Sequence, residues 1–91
     1  IHGGDGNDFL TGGGGDDLIL GGAGNDSVLA RDGDDYLDGG DGDDLLSGGA
    51  GRNSLFGGTG NDRLNGSGSR DFLYGQEGND RLYGNGGNDY L

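Results

Sequence analysis

The chain has 91 residues, 27 of them Gly, with no Cys, no Pro and a net charge of -12. It has room for one small domain, no disulfide to staple it, and neither the Pro nor the three-residue Gly period of collagen. The acidic balance argues against nucleic acid, which draws a basic surface, and points towards cations.

Leu, Ile, Val and Phe together make up about a fifth of the chain. That share sits where apolar burial ceases to offset ordering entropy, and Gly raises the entropy further. A folded state therefore needs stability from outside the polypeptide. No apolar run reaches membrane-spanning length and no signal peptide is visible.

From Gly3 onward the chain divides every nine residues without a slip. The copies read GGDGNDFLT, GGGGDDLIL, GGAGNDSVL, ARDGDDYLD, GGDGDDLLS, GGAGRNSLF, GGTGNDRLN, GSGSRDFLY, GQEGNDRLY and GNGGNDYL. The eighth column is aliphatic throughout, from Leu10 to Leu91. The sixth is Asp8, Asp17, Asp26, Asp35, Asp44, Asn53, Asp62, Asp71, Asp80 and Asp89. Ile1 also falls in the aliphatic column, and the expectation is a single repeat segment, 1–91, cut from a longer array.

One apolar residue in nine cannot make an amphipathic helix. Each copy reads instead as a six-residue Gly-rich turn followed by a three-residue strand. The eighth residue then points inward and the seventh and ninth outward. One turn reverses the chain, so two copies close a coil. The fold class expected is all-β: a right-handed parallel β-roll (a β-solenoid) of about five coils around a thin aliphatic column.

The turns offer only hard oxygen ligands, since Cys is absent and the one His, His2, stands at the start. Carboxylates and carbonyls select calcium over zinc or copper, and magnesium prefers a smaller, more rigid octahedron. Ten turns in register outweigh the reading of solvated acidic loops, because stacked carboxylates without a cation repel one another.

These copies resemble the RTX, or haemolysin-type, calcium-binding nonapeptide GGxGxDxUx, where U is a large aliphatic. The resemblance covers Gly3 to Leu91. It implies a parallel β-roll with calcium between turns stacked two copies apart. It further implies that one turn gives the carbonyls of its second and fourth residues and its Asp, while the next gives the carbonyls of its first and third residues and its own Asp. On the odd-copy edge this assigns Gly4 and Gly6 facing Gly21 and Ala23, then Gly22 and Gly24 facing Gly39 and Asp41. Gly40 and Gly42 then face Gly57 and Thr59, and Gly58 and Gly60 face Gly75 and Glu77. On the even edge Gly13 and Gly15 face Ala30 and Asp32.

Odd copies stack on one edge and even copies on the other, leaving four gaps per edge and four to eight ions. The odd carboxylates are intact. The departures Ala30, Arg31, Arg52, Asn53, Ser67, Ser69, Arg70 and Asn85 gather on the even edge, with Gln76 alone on the odd one. Asn53 keeps an amide oxygen but weakens the gaps towards both Asp35 and Asp71. Arg52 either supplies charge there or points into solvent.

The outward positions of the even strands (Leu18, Leu20, Tyr36, Phe56, Phe72, Tyr74, Tyr90) are the more apolar. They either dock on an adjoining domain or neighbouring roll, or form cross-strand ladders. No nucleophile and base pair can be built, so no enzymatic role is expected. The resemblance implies type I secretion from a bacterium and folding outside the cell. The alternatives are a structural segment of an extracellular adhesin or filament, self-associating end to end, or the stabilising tail of a secreted enzyme or toxin.

Overall fold

The computed structural model describes residues 1–87, 89 and 91. Its described residues form ten strands and no helix. In chain order these are β1 (His2–Asp5), β2 (Phe9–Gly13), β3 (Leu18–Ala23), β4 (Ser27–Arg31) and β5 (Tyr36–Asp41). There follow β6 (Leu45–Ser47), β7 (Ser54–Thr59), β8 (Arg63–Asn65), β9 (Phe72–Glu77) and β10 (Arg81–Tyr83). Odd-numbered strands make one parallel sheet, in the order β1-β3-β5-β7-β9, and even-numbered strands make the other, β10-β8-β6-β4-β2.

Register follows the repeat. Ile19 pairs with Leu37, Leu37 with Leu55 and Leu55 with Leu73, each two copies apart. Val28, Leu46 and Leu64 do the same in the second sheet. The roll is a β-solenoid of about five coils, two nonapeptides to a coil.

The inward column is the core. Ile19, Leu37, Leu46, Leu55, Leu64 and Leu73 are fully buried and Val28 nearly so, with Leu10 and Leu82 packed against them. The narrowest extent of the molecule is 12 Å, close to the ~10 Å spacing of two facing sheets. Among the described residues the core is this one layer of side chains, with Ala30 buried beside it.

The structure corrects the strand lengths. Three-residue strands occur only at β6, β8 and β10. β3, β5, β7 and β9 run six residues, through the first three residues of the following odd copy. Gly22 and Gly40 pair in that extension with φ of +98° and +93°. A second-column residue at positive φ keeps the strand in register while turning it, a conformation that Gly adopts freely.

Outside the first sheet, the rings of Tyr36 and Phe56 lie 5.0 Å apart, and those of Phe56 and Tyr74 lie 5.3 Å apart and nearly parallel. The cross-strand ladder reading of this face therefore holds for these three rings. Tyr90, expected on the same face, lies outside the described residues.

Candidate metal centre

The sixth residue lies two positions before the inward aliphatic, hence on the same side of the chain. Its side chain accordingly turns inward. Asp26, Asp35, Asp44, Asp62 and Asp71 are all at most 3% exposed, and Asn53 is 1% exposed.

One oxygen of each side chain ties coil to coil. On the odd edge the Asp8 N–H donates to Asp26 Oδ1 at 2.8 Å, Asp26 to Asp44 at 2.7 Å, Asp44 to Asp62 at 2.8 Å and Asp62 to Asp80 at 2.8 Å. On the even edge Asp17 donates to Asp35, Asp35 to Asn53, Asn53 to Asp71 and Asp71 to Asp89, all between 2.7 and 2.9 Å. Each side chain reaches back one coil. Bonds from N–H to a carboxylate are among the stronger ones available. Sequence reading missed this ladder, although the inward parity of the Asp column was its signal.

The second oxygen is another matter. Oδ2 of Asp8, Asp17, Asp26, Asp35, Asp44, Asp62 and Asp71 is buried and accepts no hydrogen bond. A buried, unpaired charge is expensive. Burial pushes the Asp44 carboxyl up from 3.8 to about 6, against the Asp26 N–H, with the neighbouring charges of Asp62 and Asp26 adding to the rise. Burial likewise raises Asp35, Asp62 and Asp71.

Glycine makes the space into which these oxygens point. A Cβ on Gly3 would stand 2.7 Å from Asp8 Oδ2 and 2.6 Å from the Gly21 carbonyl of the next coil. On Gly21 it would meet Asp26 Oδ2 at 2.7 Å and the Gly39 carbonyl at 2.6 Å; on Gly12, Asp17 Oδ2 at 2.6 Å and the Ala30 carbonyl at 2.9 Å. Gly39 and Gly57 bring Asp44 and Asp62 to the carbonyls of Gly57 and Gly75 in the same way. First-column carbonyls thus face back across the gap.

Second- and fourth-column carbonyls face forward. Those of Gly4, Gly6, Gly15, Gly22, Gly24, Gly40, Gly42 and Gly60 each stand where a Cβ on the matching glycine of the next coil would collide with them. Asp41 and Thr59 turn their carbonyls back to accept the N–H groups of Gly24 and Gly42, both at 3.0 Å. Ala23 and Glu77 are strand residues, paired with Asp41 and Thr59. Asp32 is exposed on the even edge, and Gly13 and Gly58 hold the same positive φ as the other second-column residues.

Asn53 measures one turn from within. Its Oδ1 takes the Asp35 N–H, so its Nδ2 is the other atom, and that atom donates to the Gly49 and Gly51 carbonyls at 3.2 and 3.4 Å. These are the second- and fourth-column carbonyls of its own turn. In the Asp turns the corresponding atom is a carboxylate oxygen without a hydrogen. Oxygen then faces oxygen, an arrangement that a cation resolves. Among the described residues no three His, Cys, Asp or Glu side chains converge. A cation here draws on one or two carboxylates and on carbonyls, a hard donor set that suits calcium. The residues present fit the ion.

The fifth column carries a second ladder that sequence reading also missed. Asn7 Oδ1 accepts the Asn25 N–H, Asn25 that of Asp43, Asp43 that of Asn61 and Asn61 that of Asn79, at 2.7 to 2.9 Å. Here each side chain reaches forward, opposite to the sixth column. On the even edge Asp16 accepts from Asp34 and Asp34 from Arg52. Arg52 has no side-chain oxygen to continue the series. Its side chain is exposed, as the solvent reading requires.

Second-column departures keep the turn. Arg31, Ser67, Gln76 and Asn85 all take positive φ, between 65° and 81°. Ser69 does not, unlike the Gly of every other fourth-column position. Its carbonyl still stands against Gly87 of the next coil.

A family model for the RTX calcium-binding nonapeptide repeat, four copies to a unit, matches residues 1–28, 20–55 and 56–91. No curated protein and no solved structure matches the chain.

Proposed function

Since the chain belongs to the RTX calcium-binding nonapeptide repeat family, we propose that calcium held between its stacked turns is what folds it, as a stabilising module of a protein exported from a bacterial cell. The observation that carries this reading is the set of buried, unpartnered carboxylate oxygens, seven among the described residues. They lie on both edges, at Asp8, Asp26, Asp44 and Asp62 on one and Asp17, Asp35 and Asp71 on the other.

A bound calcium supplies positive charge and several coordination positions for hard oxygens. The chain does the rest. Oδ2 of each Asp and the carbonyls of its own turn present one half of a site. The first-column carbonyl of the next coil closes from the other side. Oδ1 meanwhile holds the N–H of the preceding coil, so the carboxylate is fixed in orientation. With the turns fixed, the aliphatic column closes behind them. Binding free energy is then folding free energy, which suits a chain whose core is one side chain thick. Such a chain stays loose where calcium is scarce and folds where it is abundant, as export requires.

Circular dichroism in calcium-stripped buffer at pH 7 should show a disordered chain. Addition of roughly millimolar calcium, the range of extracellular modules, should produce a β spectrum, and magnesium at the same concentration should not. A full β spectrum in excess chelator would overturn the reading.

A further inference from the structure

Eight gaps separate the stacked turns, yet among the described residues seven contain an unpartnered Oδ2. Asp80 and Asp89 belong to the final turn of each edge, so the count leaves one gap over. It is the gap between the turn of Asn53 and the turn of Asp71, and its Oδ2 is replaced by an amide nitrogen.

We propose that the Asn53 amide is a hydrogen-bonded substitute for calcium, which closes this one gap to metal and leaves the gap before it open. The proposal rests on the calcium reading above and goes beyond it to a single position. The chemistry is a matter of donors and acceptors. A carboxylate has no proton to give, so the Gly49 and Gly51 carbonyls would face a third oxygen. The Asn53 NH2 gives one hydrogen to each, at 3.2 and 3.4 Å. Two forward-facing ligands are thereby spent and a negative charge is removed.

The gap on the other side keeps its parts. Asp35 Oδ2 remains buried and unpartnered, and Asn53 presents Oδ1 there, as Asp does elsewhere. The effect of Asn53 is therefore one-sided. This sharpens the sequence expectation, in which both neighbouring gaps are weakened. It also places a turn that needs no metal at the centre of the even edge, joined by ladder bonds to calcium-requiring turns on each side.

Native mass spectrometry in saturating calcium counts ions directly on the whole chain. The wild type should carry seven. Asn53→Asp restores an unpartnered oxygen and should carry one more. Asp62→Asn places the same amide on the odd edge, between the Gly58 and Gly60 carbonyls, and should carry one fewer. Both changes are close to isosteric, so the coil is retained. An Asn53→Asp count equal to the wild type would overturn the substitution, and so would a wild-type count of eight. Loss of two ions in Asp62→Asn would overturn its one-sidedness. Calcium bound equally by wild type and Asn53→Asp leaves the folding reading standing while this one fails; no calcium bound by the wild type removes both.

Discussion

Consider Asp44 with calcium withheld. In the folded coil its carboxyl titrates at about 6, against an ordinary 3.8, chiefly because burial penalises the charge. The folded chain therefore takes up a proton in an interval where the unfolded chain does not. The stability linked to this group is fully present below 3.8 and is lost as pH rises through 6. The displacement amounts to at most about 3 kcal/mol against the ionised roll. Solvent reaching the turn edge screens this to about 1–2 kcal/mol. Asp35, Asp62 and Asp71 are displaced in the same direction, so several such contributions act together. Acid and calcium should then act alike on the fold and compete for the same oxygens. In calcium-stripped buffer, β structure by circular dichroism should increase as pH falls from 7 to about 4.5. Calcium binding to the acid-folded roll should need a higher calcium concentration below pH 6, because it displaces the proton held there. For a site that displaces one proton the shift approaches about tenfold per pH step. A calcium-free chain that steadily loses structure on acidification would refute the reasoning. So would a calcium-free chain with the same β content at pH 7 and pH 4.5.

Other substitutions probe the frame. Leu46→Ala empties a fully buried place in a core one side chain thick and should cost about 2–5 kcal/mol, read as a lower denaturation midpoint in saturating calcium. Gly40→Ala demands a φ of +93° and sets a Cβ against the Gly22 carbonyl. The backbone accounts for about 1–2 kcal/mol and the overpacking for about 1–3 kcal/mol more, with the calcium midpoint rising accordingly. Gly68→Ala, which meets nothing within 4 Å, should leave both midpoints within about 0.5 kcal/mol of wild type. Phe56→Ala removes the middle ring of the Tyr36, Phe56 and Tyr74 stack and should cost about 0.5–1.5 kcal/mol beyond the area exposed, without altering the number of bound ions.

Much of this molecule was legible because its period is short and unbroken. A single aliphatic column implied one inward row, and one reversal per copy implied coils of two copies, as the pairing of Leu37 with Leu55 bears out. What stayed hidden was whatever depends on adjacency between coils rather than along the chain. The fifth residue is Asn or Asp in eight of the ten copies, but only stacking shows that Asn25 caps the N–H of Asp43. Strand length was hidden for a related reason. Gly39 to Asp41 look like turn residues in isolation. Yet β3 and β7 offer them partners on both sides, and the positive φ of Gly40 lets the strand continue.

The sixth-column ladder accounts for how Asn53 stands in a column of nine Asp. A residue there has one acceptor to give to the N–H of the preceding coil and one further atom to set among the carbonyls of its own turn. Asp meets the first need and leaves the second to a cation. Asn meets both, since Oδ1 replaces the carboxylate oxygen of the ladder and NH2 satisfies the carbonyls. An apolar residue would meet neither, leaving the buried Asp35 N–H without this partner at about 1–3 kcal/mol. The turn at Asn53 is therefore a coil of the same roll with its charge requirement removed. Arg52, beside it, ends the fifth-column ladder on that edge, and its side chain is exposed.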